Sequence, residues 1–76
     1  MKHLVFAVFD SKAETFGMPM FFPAKGQAIR AFDDQCNQPD SMLYKHPHDF
    51  SLFLLGDYDV DSGLITPLTT PSPLRS

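Results

Sequence analysis

Two short runs of hydrophobic residues predict the strands of a sheet. Residues 4–9 form the first run and residues 50–55 the second, and both are rich in aromatic and branched side chains. The first run is apolar on both faces, so we expect a buried and central strand. A returning strand is expected at residues 64–66, after a hairpin loop at residues 59–63 in which Gly63 supplies a positive φ.

Apolar residues that recur at helical spacing predict one helix over about residues 24–37. At 100° per residue, the small and apolar side chains fall on one face and the polar ones on the other. Pro23 suits the entrance of this helix, and Pro39 suits its exit. The apolar face carries Ala28, Ile29, Phe32 and Cys36, and the polar face carries Gln27, Arg30, Asp33, Asp34 and Asn37.

The remaining segments are predicted from their prolines and polar residues. Residues 18–23 hold two prolines around three large apolar residues. Since proline cannot donate to a sheet ladder, we expect an edge strand or an extended arm there. Residues 38–48 are predicted as a loop with one helical turn at residues 42–44. The tail over residues 69–76 is rich in Pro, Ser and Thr, has no apolar period and is predicted to be disordered.

These elements predict a single α+β domain over residues 1–68, a small antiparallel β-sheet with one α-helix packed on a face. A chain of 76 residues buries only about 60% of the surface that its unfolded form exposes, so its stability is marginal. Cys36 is the single cysteine, so no disulfide adds stability, and a lone thiol fits a reducing cytosol better than secretion. A homodimer would bury further apolar surface.

The N-terminal apolar run does not predict a signal peptide or a membrane anchor. It stops at Asp10, and its residues are strand formers with no small-residue cleavage site behind them. No segment of the sequence approaches the roughly 20 apolar residues that a membrane span needs. We therefore expect no membrane partner.

The formal net charge of −3 disfavours a general electrostatic attraction to nucleic acid. A local basic patch remains compatible with that total, because a few cations can dominate one part of a small acidic domain. The cations are scattered in sequence, so any patch has to be assembled by the fold. They are Lys2, Lys12, Lys25, Arg30, Lys45 and Arg75.

Two short motifs have some features of a metal-binding site, and Cys36 is a candidate catalytic nucleophile. Asp57-x-Asp59-x-Asp61 opens like a calcium loop, but Ser62 and Leu68 replace the glycine and glutamate that such a loop needs, so a solvated hairpin is favoured. His46-x-His48-Asp49 does not have a recognised zinc spacing. Cys36 lacks the local signature of a catalytic thiol. We predict no metal, no cofactor and no enzymatic activity.

Two short segments are candidates for binding an anion or a nucleic acid. Lys25 lies in the first turn of the helix, where it suits either a bound anion or a lysine whose alkyl stem lies along the apolar face. Tyr44-Lys45-His46 interleaves an aromatic ring with cationic or potentially cationic groups, a mixture that holds single-stranded nucleic acid by stacking and phosphate contact. The same three residues could equally cover the end of the core.

A series of short sequence motifs over residues 4–68 resembles the sequence pattern of one viral family. No single motif is diagnostic, but the order and spacing of the motifs together are specific. On these motifs the chain resembles the small non-structural protein of microviruses, especially the gokushovirus branch, which is often described as a DNA-binding protein. The motifs are Val8-Phe9-Asp10-Ser11-Lys12-Ala13, Pro19, Pro23, Ala28-Ile29-Arg30-Ala31-Phe32, Asn37-Gln38-Pro39, His46-Pro47-His48-Asp49-Phe50-Ser51-Leu52, Leu55-Gly56-Asp57-Tyr58-Asp59, Gly63 and Thr66-Pro67-Leu68.

The resemblance implies a non-enzymatic accessory protein of the host cytoplasm, made in the infected bacterium and absent from the mature virion. Its expected role is to bind single-stranded viral DNA during genome replication, with no catalytic motif to carry over. Arg30, within the motif at residues 28–32, is the polar residue that the resemblance transfers as a contact. The expected nucleic-acid-binding residues are Lys12, Lys25, Arg30, Tyr44, Lys45 and His46.

A second function is compatible with the same sequence. The chain could be a protein–protein adaptor that regulates the viral or host replication machinery without contacting DNA. Phe21, Phe22 and the neighbouring apolar surface would then bind the partner. For either function we expect a homodimer or larger homo-oligomer, because the apolar segment at residues 18–22 is suited to burial against a partner.

Overall fold

An antiparallel sheet with one long helix on a face forms the structure of residues 1–75, which a computed structural model describes. The α+β architecture predicted from the sequence is confirmed. In chain order, the elements are β1 (Lys2–Asp10), β2 (Thr15–Phe16), β3 (Met20–Phe22), α1 (Lys25–Cys36), α2 (Met42–Lys45), β4 (Phe50–Asp59) and β5 (Ile65–Arg75).

β1 lies at the centre of the sheet, as its uninterrupted apolar run predicts. β2 and β3 pair with one edge of β1, β4 pairs with the other edge, and β5 pairs with the outer side of β4. The segment between the two prolines forms an edge strand, β3, in which Phe22 lies opposite Leu4 and Met20 opposite Phe6. An edge position suits this segment because its flanking prolines cannot donate to a ladder.

α1 packs on the sheet through the face that its periodicity predicts. Phe32 and Ala28 are buried against Phe6 and Leu52, which are both fully buried. Burial of one large apolar side chain stabilises a fold by about 1.5–3 kcal/mol. Ile29 is partly buried beside them. These contacts fix the helix on the sheet.

Both ends of α1 lie close to the predicted positions. The helix begins at Lys25, with Ala24 as its N-cap, and it ends at Cys36. The side-chain amide of Asn37 donates to the carbonyl oxygen of Asp33 (2.9 Å). This bond satisfies one of the carbonyl groups that the end of a helix leaves without an internal partner.

The loop between β4 and β5 is the predicted hairpin. Gly63 has a φ of 77°, which suits a residue without a Cβ atom, and its N–H donates to the carbonyl oxygen of Asp59 (2.8 Å). The carboxylate of Asp59 accepts from the Asp61 N–H (3.1 Å) and from the Ser62 hydroxyl (3.0 Å). These two hydrogen bonds hold the pKa of Asp59 below its usual value. Asp59 therefore stabilises the turn itself.

The structure corrects the prediction of a disordered tail, because strand β5 extends through most of it. Residues 69–75 continue β5, whereas Ser76 lies outside the described residues. β5 is the outer strand of the sheet, so the missing N–H groups of its prolines can fall on the unpaired edge. Leu74 packs against the core, and Arg75 forms an ion pair with Asp33 of α1 (2.6 Å). The domain therefore continues past residue 68.

The sheet has a face that lacks a second layer among residues 1–75. Because side chains alternate along a strand, the residues between the core residues point away from α1. Every charged residue of the strands lies on the helix side: Lys2, Asp10, Asp57, Asp59 and Arg75. We call the opposite surface the open face; it comprises His3, Val5, Ala7, Phe9, Phe16, Phe21, Ser51, Phe53, Gly56, Tyr58, Ile65, Pro67 and Pro73.

Candidate nucleic-acid interface

Lys12 lies in the tight turn that joins β1 to β2. The carboxylate of Asp10 accepts from the N–H groups of Lys12 (3.0 Å) and Ala13 (3.3 Å). The N–H of Glu14 donates to the Asp10 carbonyl oxygen (2.8 Å). Aspartate suits the start of such a turn because its short side chain reaches the backbone N–H groups that follow. The turn fixes the Lys12 backbone, and its side chain is exposed.

Tyr44, Lys45 and His46 lie on and just after α2. Ser41 caps this short helix, since its hydroxyl oxygen accepts from the Leu43 N–H (3.1 Å). Leu43 packs against the core, and the next three residues are exposed. The predicted helical turn at residues 42–44 is therefore confirmed, and it presents Tyr44 and Lys45 to solvent.

The sheet brings the Lys12 turn and the α2 segment to the same end of the molecule. Asp10, at the end of β1, lies opposite Phe50, at the start of β4. The turn follows Asp10, and α2 comes shortly before Phe50. The Ser11 N–H donates to the Asp49 carbonyl oxygen (2.9 Å), which ties the two segments together. We call this group the cationic end after its two lysines; it comprises Lys12, Tyr44, Lys45 and His46, and the carboxylates of Asp10, Glu14 and Asp49 lie at the same end.

The two predicted contacts on α1 lie away from the cationic end. Lys25 follows β3 closely, and Phe22 of β3 pairs with Leu4, near the opposite end of β1. The 12 residues of α1 rise by about 18 Å, which separates Lys25 from the segment after the helix. Arg30 is exposed near the middle of α1, with Asp34 four residues further on the same helix. The structure thus brings together four of the six predicted contacts.

Ion pairing separates the six cations into two groups. Lys2 Nζ lies 3.9 Å from a carboxylate oxygen of Asp57, and a terminal guanidinium nitrogen of Arg75 lies 2.6 Å from Asp33. Among residues 1–75, the other four cations have no carboxylate oxygen within 4.0 Å. They keep their charge available to an anionic ligand. These four are the predicted phosphate contacts Lys12, Lys25, Arg30 and Lys45.

The end of the sheet opposite the cationic end is acidic. Asp57 and Asp59 lie in the last part of β4, and Asp61 lies in the hairpin loop that follows. The amino group of Met1 contacts Asp61 (2.8 Å), and Lys2 contacts Asp57 (3.9 Å), so part of this negative charge is compensated. The remaining negative charge distinguishes this end from the end that holds Lys12 and Lys45.

Residues 1–75 hold no group of three or more His, Cys, Asp or Glu side chains placed to bind a metal ion, and they enclose no cavity. The thiol of Cys36 is half-buried, and burial raises its pKa. Within the same residues, neither helix has the length and apolar character needed to cross a membrane.

The sequence matches the model of a phage protein family, described as phage ORF5 protein, over residues 3–76. The chain belongs to this family. Its phage origin agrees with the viral resemblance drawn from the sequence. No curated protein and no solved structure matches the chain.

The open face is the exposed surface that the sequence does not reveal. Phe9, Phe16 and Phe53 form a trio of rings with centroids 4.9–6.1 Å apart. Phe21 and Tyr58 form a second pair at 5.7 Å. These residues are far apart in the chain and meet only through the strand register. The high aromatic content was the sole signal of such a surface in the sequence.

The adaptor surface expected from the sequence is divided between two faces. Phe21 belongs to the open face. Phe22 lies on the helix side instead, and its ring packs on Phe6 with centroids 6.0 Å apart. The alternation of side chains along β3 therefore excludes a surface that exposes both rings together.

Proposed function

We propose that this member of the phage ORF5 family is a non-enzymatic accessory protein that binds single-stranded DNA at its cationic end. The observation that carries the proposal is the placement of Lys12 at the same end of the sheet as Tyr44, Lys45 and His46, where the Ser11 N–H donates to the Asp49 carbonyl oxygen (2.9 Å). Neither lysine there has an ion-pair partner among residues 1–75. The viral resemblance adds the finer parts of the proposal. They are a microvirus of the gokushovirus branch, a role in genome replication, the host cytoplasm as location and absence from the mature virion.

In the proposed binding mode, an aromatic ring stacks on a base and the lysines contact phosphates. Tyr44 is 46% exposed and offers a face on which one unpaired base can stack. Lys12 and Lys45 then contact the phosphates on the strand that passes over this end. A duplex keeps its bases stacked on one another, so it can use the lysines but not the ring. The mode therefore favours a single strand over a duplex.

The net charge sets the expected strength of binding. A total of −3 weakens long-range attraction, so we expect modest affinity that falls with added salt. Two phosphate contacts predict a slope of about −1.4 in log K against log salt, and four predict about −2.8. The smaller value corresponds to Lys12 and Lys45 alone, and the larger to the inclusion of Lys25 and Arg30.

Variants that replace a lysine with the uncharged glutamine test the proposed phosphate contacts. Lys12→Gln and Lys45→Gln should each make the salt slope shallower by about 0.7. Tyr44→Ala should cost about 1–3 kcal/mol of binding free energy with little change in slope. Lys2→Gln is the matched control, because it removes the same charge from an ion pair at the acidic end. Equal losses for Lys2→Gln and Lys45→Gln would contradict a localised site.

The adaptor function is the second candidate, and the open face favours it. Its rings offer an apolar contact surface that does not need DNA. If the wild-type chain fails to bind single-stranded DNA even at low salt, the adaptor function replaces DNA binding. A pull-down of viral and host replication proteins, with a Phe21→Glu variant as control, would then identify the partner.

A further inference from the structure

The open face is apolar and incompletely covered. Val5 and Ala7 lie on it and are buried, because the larger rings around them cover them. The rings themselves remain accessible, since Phe16 and Phe21 are 42% and 44% exposed. Ile65, opposite Tyr58 on the outer strand pair, is 61% exposed. A contiguous apolar surface of this kind is typical of a contact with another protein surface.

The strand positions of the open face carry no Lys, Arg, Asp or Glu within residues 1–75, because all five charged strand residues lie on the helix side. A DNA strand would find no cation among these positions. Two copies of this acidic chain could instead meet through this face without bringing like charges into contact. The charge distribution therefore favours a second copy over a polyanion.

The dimensions of the molecule are compatible with a second copy of the chain on the open face. The molecule measures 39 by 22 by 16 Å. The ten residues of β4 span about 33 Å, so the strands run along the longest dimension. The 39 and 22 Å extents of the whole molecule set the greatest length and width of a face-to-face contact, and this upper limit admits the roughly 800 Å² that each partner buries in a stable interface. The overall dimensions thus allow a dimer contact of standard size.

We propose that the open face is the contact surface of a homodimer in which two sheets pack face to face. A two-fold axis lets the same patch serve both copies. The sheets would form a sandwich about 10 Å thick, with the two α1 helices on the outside. This packing would bury Phe16 and Phe21 and supply the second layer that a small chain needs. The proposal does not depend on DNA binding.

Sedimentation of the DNA-free protein tests the proposal. At high micromolar concentration, the wild-type chain is expected to have twice the mass of one chain, which is 8.6 kDa. A double variant, Phe16→Glu with Phe21→Glu, places carboxylates in the contact. It should raise the dissociation constant of the dimer at least about tenfold. Met42→Glu is the matched control, since Met42 is exposed on α2 and away from the open face.

Each outcome decides the matter. Circular dichroism establishes that the double variant is folded, and a folded monomer together with a dimeric Met42→Glu supports the proposal. A monomeric wild type overturns it, as does a dimer that both glutamates leave intact. With a monomeric wild type, loss of single-stranded DNA binding in the double variant would assign the face to bases. Capture of a different protein would assign it to that protein.

A second measurement uses the wild-type chain and so avoids any folding defect of the variants. Fluorine-labelled phenylalanine reports on Phe16 and Phe21 separately from the core ring of Phe32. The resonances of Phe16 and Phe21 should shift as dilution dissociates the dimer, while that of Phe32 stays in place. Unchanged Phe16 and Phe21 resonances across the dissociation would show that the copies meet elsewhere.

Discussion

Two neighbouring residues of α1 hold the helix in different ways. Phe32 is 4% exposed and packs into the core between the helix and the sheet. Asp33 pairs through both carboxylate oxygens with the guanidinium of Arg75 on β5, at 3.1 and 2.6 Å. The first contact is apolar and the second is electrostatic and partly exposed. The two contacts should therefore respond to different perturbations.

Truncation of Phe32 should cost a large part of the stability. Phe32→Ala removes a buried ring and leaves a cavity, for which we expect a loss of about 3–5 kcal/mol in the free energy of unfolding. Such a loss can unfold a domain of this size. Met18→Ala is the control, because Met18 is 85% exposed and should change stability by less than about 0.5 kcal/mol. Equal melting temperatures for the two variants would contradict the core assignment.

The ion pair at Asp33 should make stability depend on pH. The Arg75 guanidinium holds the pKa of Asp33 below its usual value through hydrogen bonding and charge. The folded state therefore favours the ionised carboxylate, and this stabilisation is present above the usual pKa and is lost as pH falls through the folded pKa. Arg75→Gln should be less stable than wild type at pH 7, and the gap should close below about pH 4.

The matched control for this pH dependence is Arg30→Gln. It makes the same change at an exposed arginine that has no ion-pair partner among residues 1–75. Urea unfolding of both variants between pH 7 and pH 3 measures the effect. A constant gap between wild type and Arg75→Gln over that range would show that Asp33 does not carry it.

Among the elements, β5 is the strand that its local sequence does not predict. The spacing of apolar residues alone predicts β1, α1 and β4, because these residues recur at strand or helix intervals. β5 contains Pro67, Pro71 and Pro73, and prolines usually argue against a strand. They are tolerated because, among residues 1–75, β5 pairs with β4 alone and its outer edge has no strand beside it. An outer position is a property of the whole sheet, so residues 65–75 by themselves do not reveal it.

Close approach of β4 and β5 makes Gly56 the sensitive glycine of the sheet. A Cβ atom at Gly56 would lie 2.3 Å from the Thr66 carbonyl oxygen and 2.8 Å from the Pro67 Cα atom. Gly56→Ala therefore forces the strands apart and should cost about 1–3 kcal/mol. Gly26→Ala is the control on α1, since its Cβ would meet no atom within 4 Å. It should be neutral or stabilise by up to about 1 kcal/mol. A chemical denaturation series measures both; equal effects would contradict the β4–β5 pairing.

For the molecule as a whole, charge and apolar surface are separated in space. The cationic end, the acidic hairpin end and the uncharged open face occupy different parts of residues 1–75. Because Asp10, Glu14 and Asp49 lie near Lys12 and Lys45, the proposed DNA contact relies on these two lysines and the Tyr44 ring and not on an overall positive charge. The separation also keeps the proposed dimer face apart from the proposed DNA contacts.

The candidate site could be predicted only in part from the sequence. Residue type pointed to Tyr44 and the unpaired lysines, and Tyr44-Lys45-His46 is continuous in the chain. The addition of Lys12 required the pairing of β1 with β4, and the exclusion of Lys25 required the direction of α1. Both are long-range properties, and the salt slope measures whether Lys25 and Arg30 on α1 contribute beside the cationic end. The aromatic trio of the open face was missed for the same reason, since the strand register alone brings its rings together.

The most direct measurement of the proposed function is a titration of a labelled single-stranded oligonucleotide, with a duplex of the same sequence as comparison, at two salt concentrations. Fluorescence anisotropy reports binding of the wild-type chain. We expect tighter binding to the single strand than to the duplex, and a salt slope between about −1.4 and −2.8. An absence of single-strand binding at low salt, or equal binding to both forms, would contradict a stacking site on the cationic end.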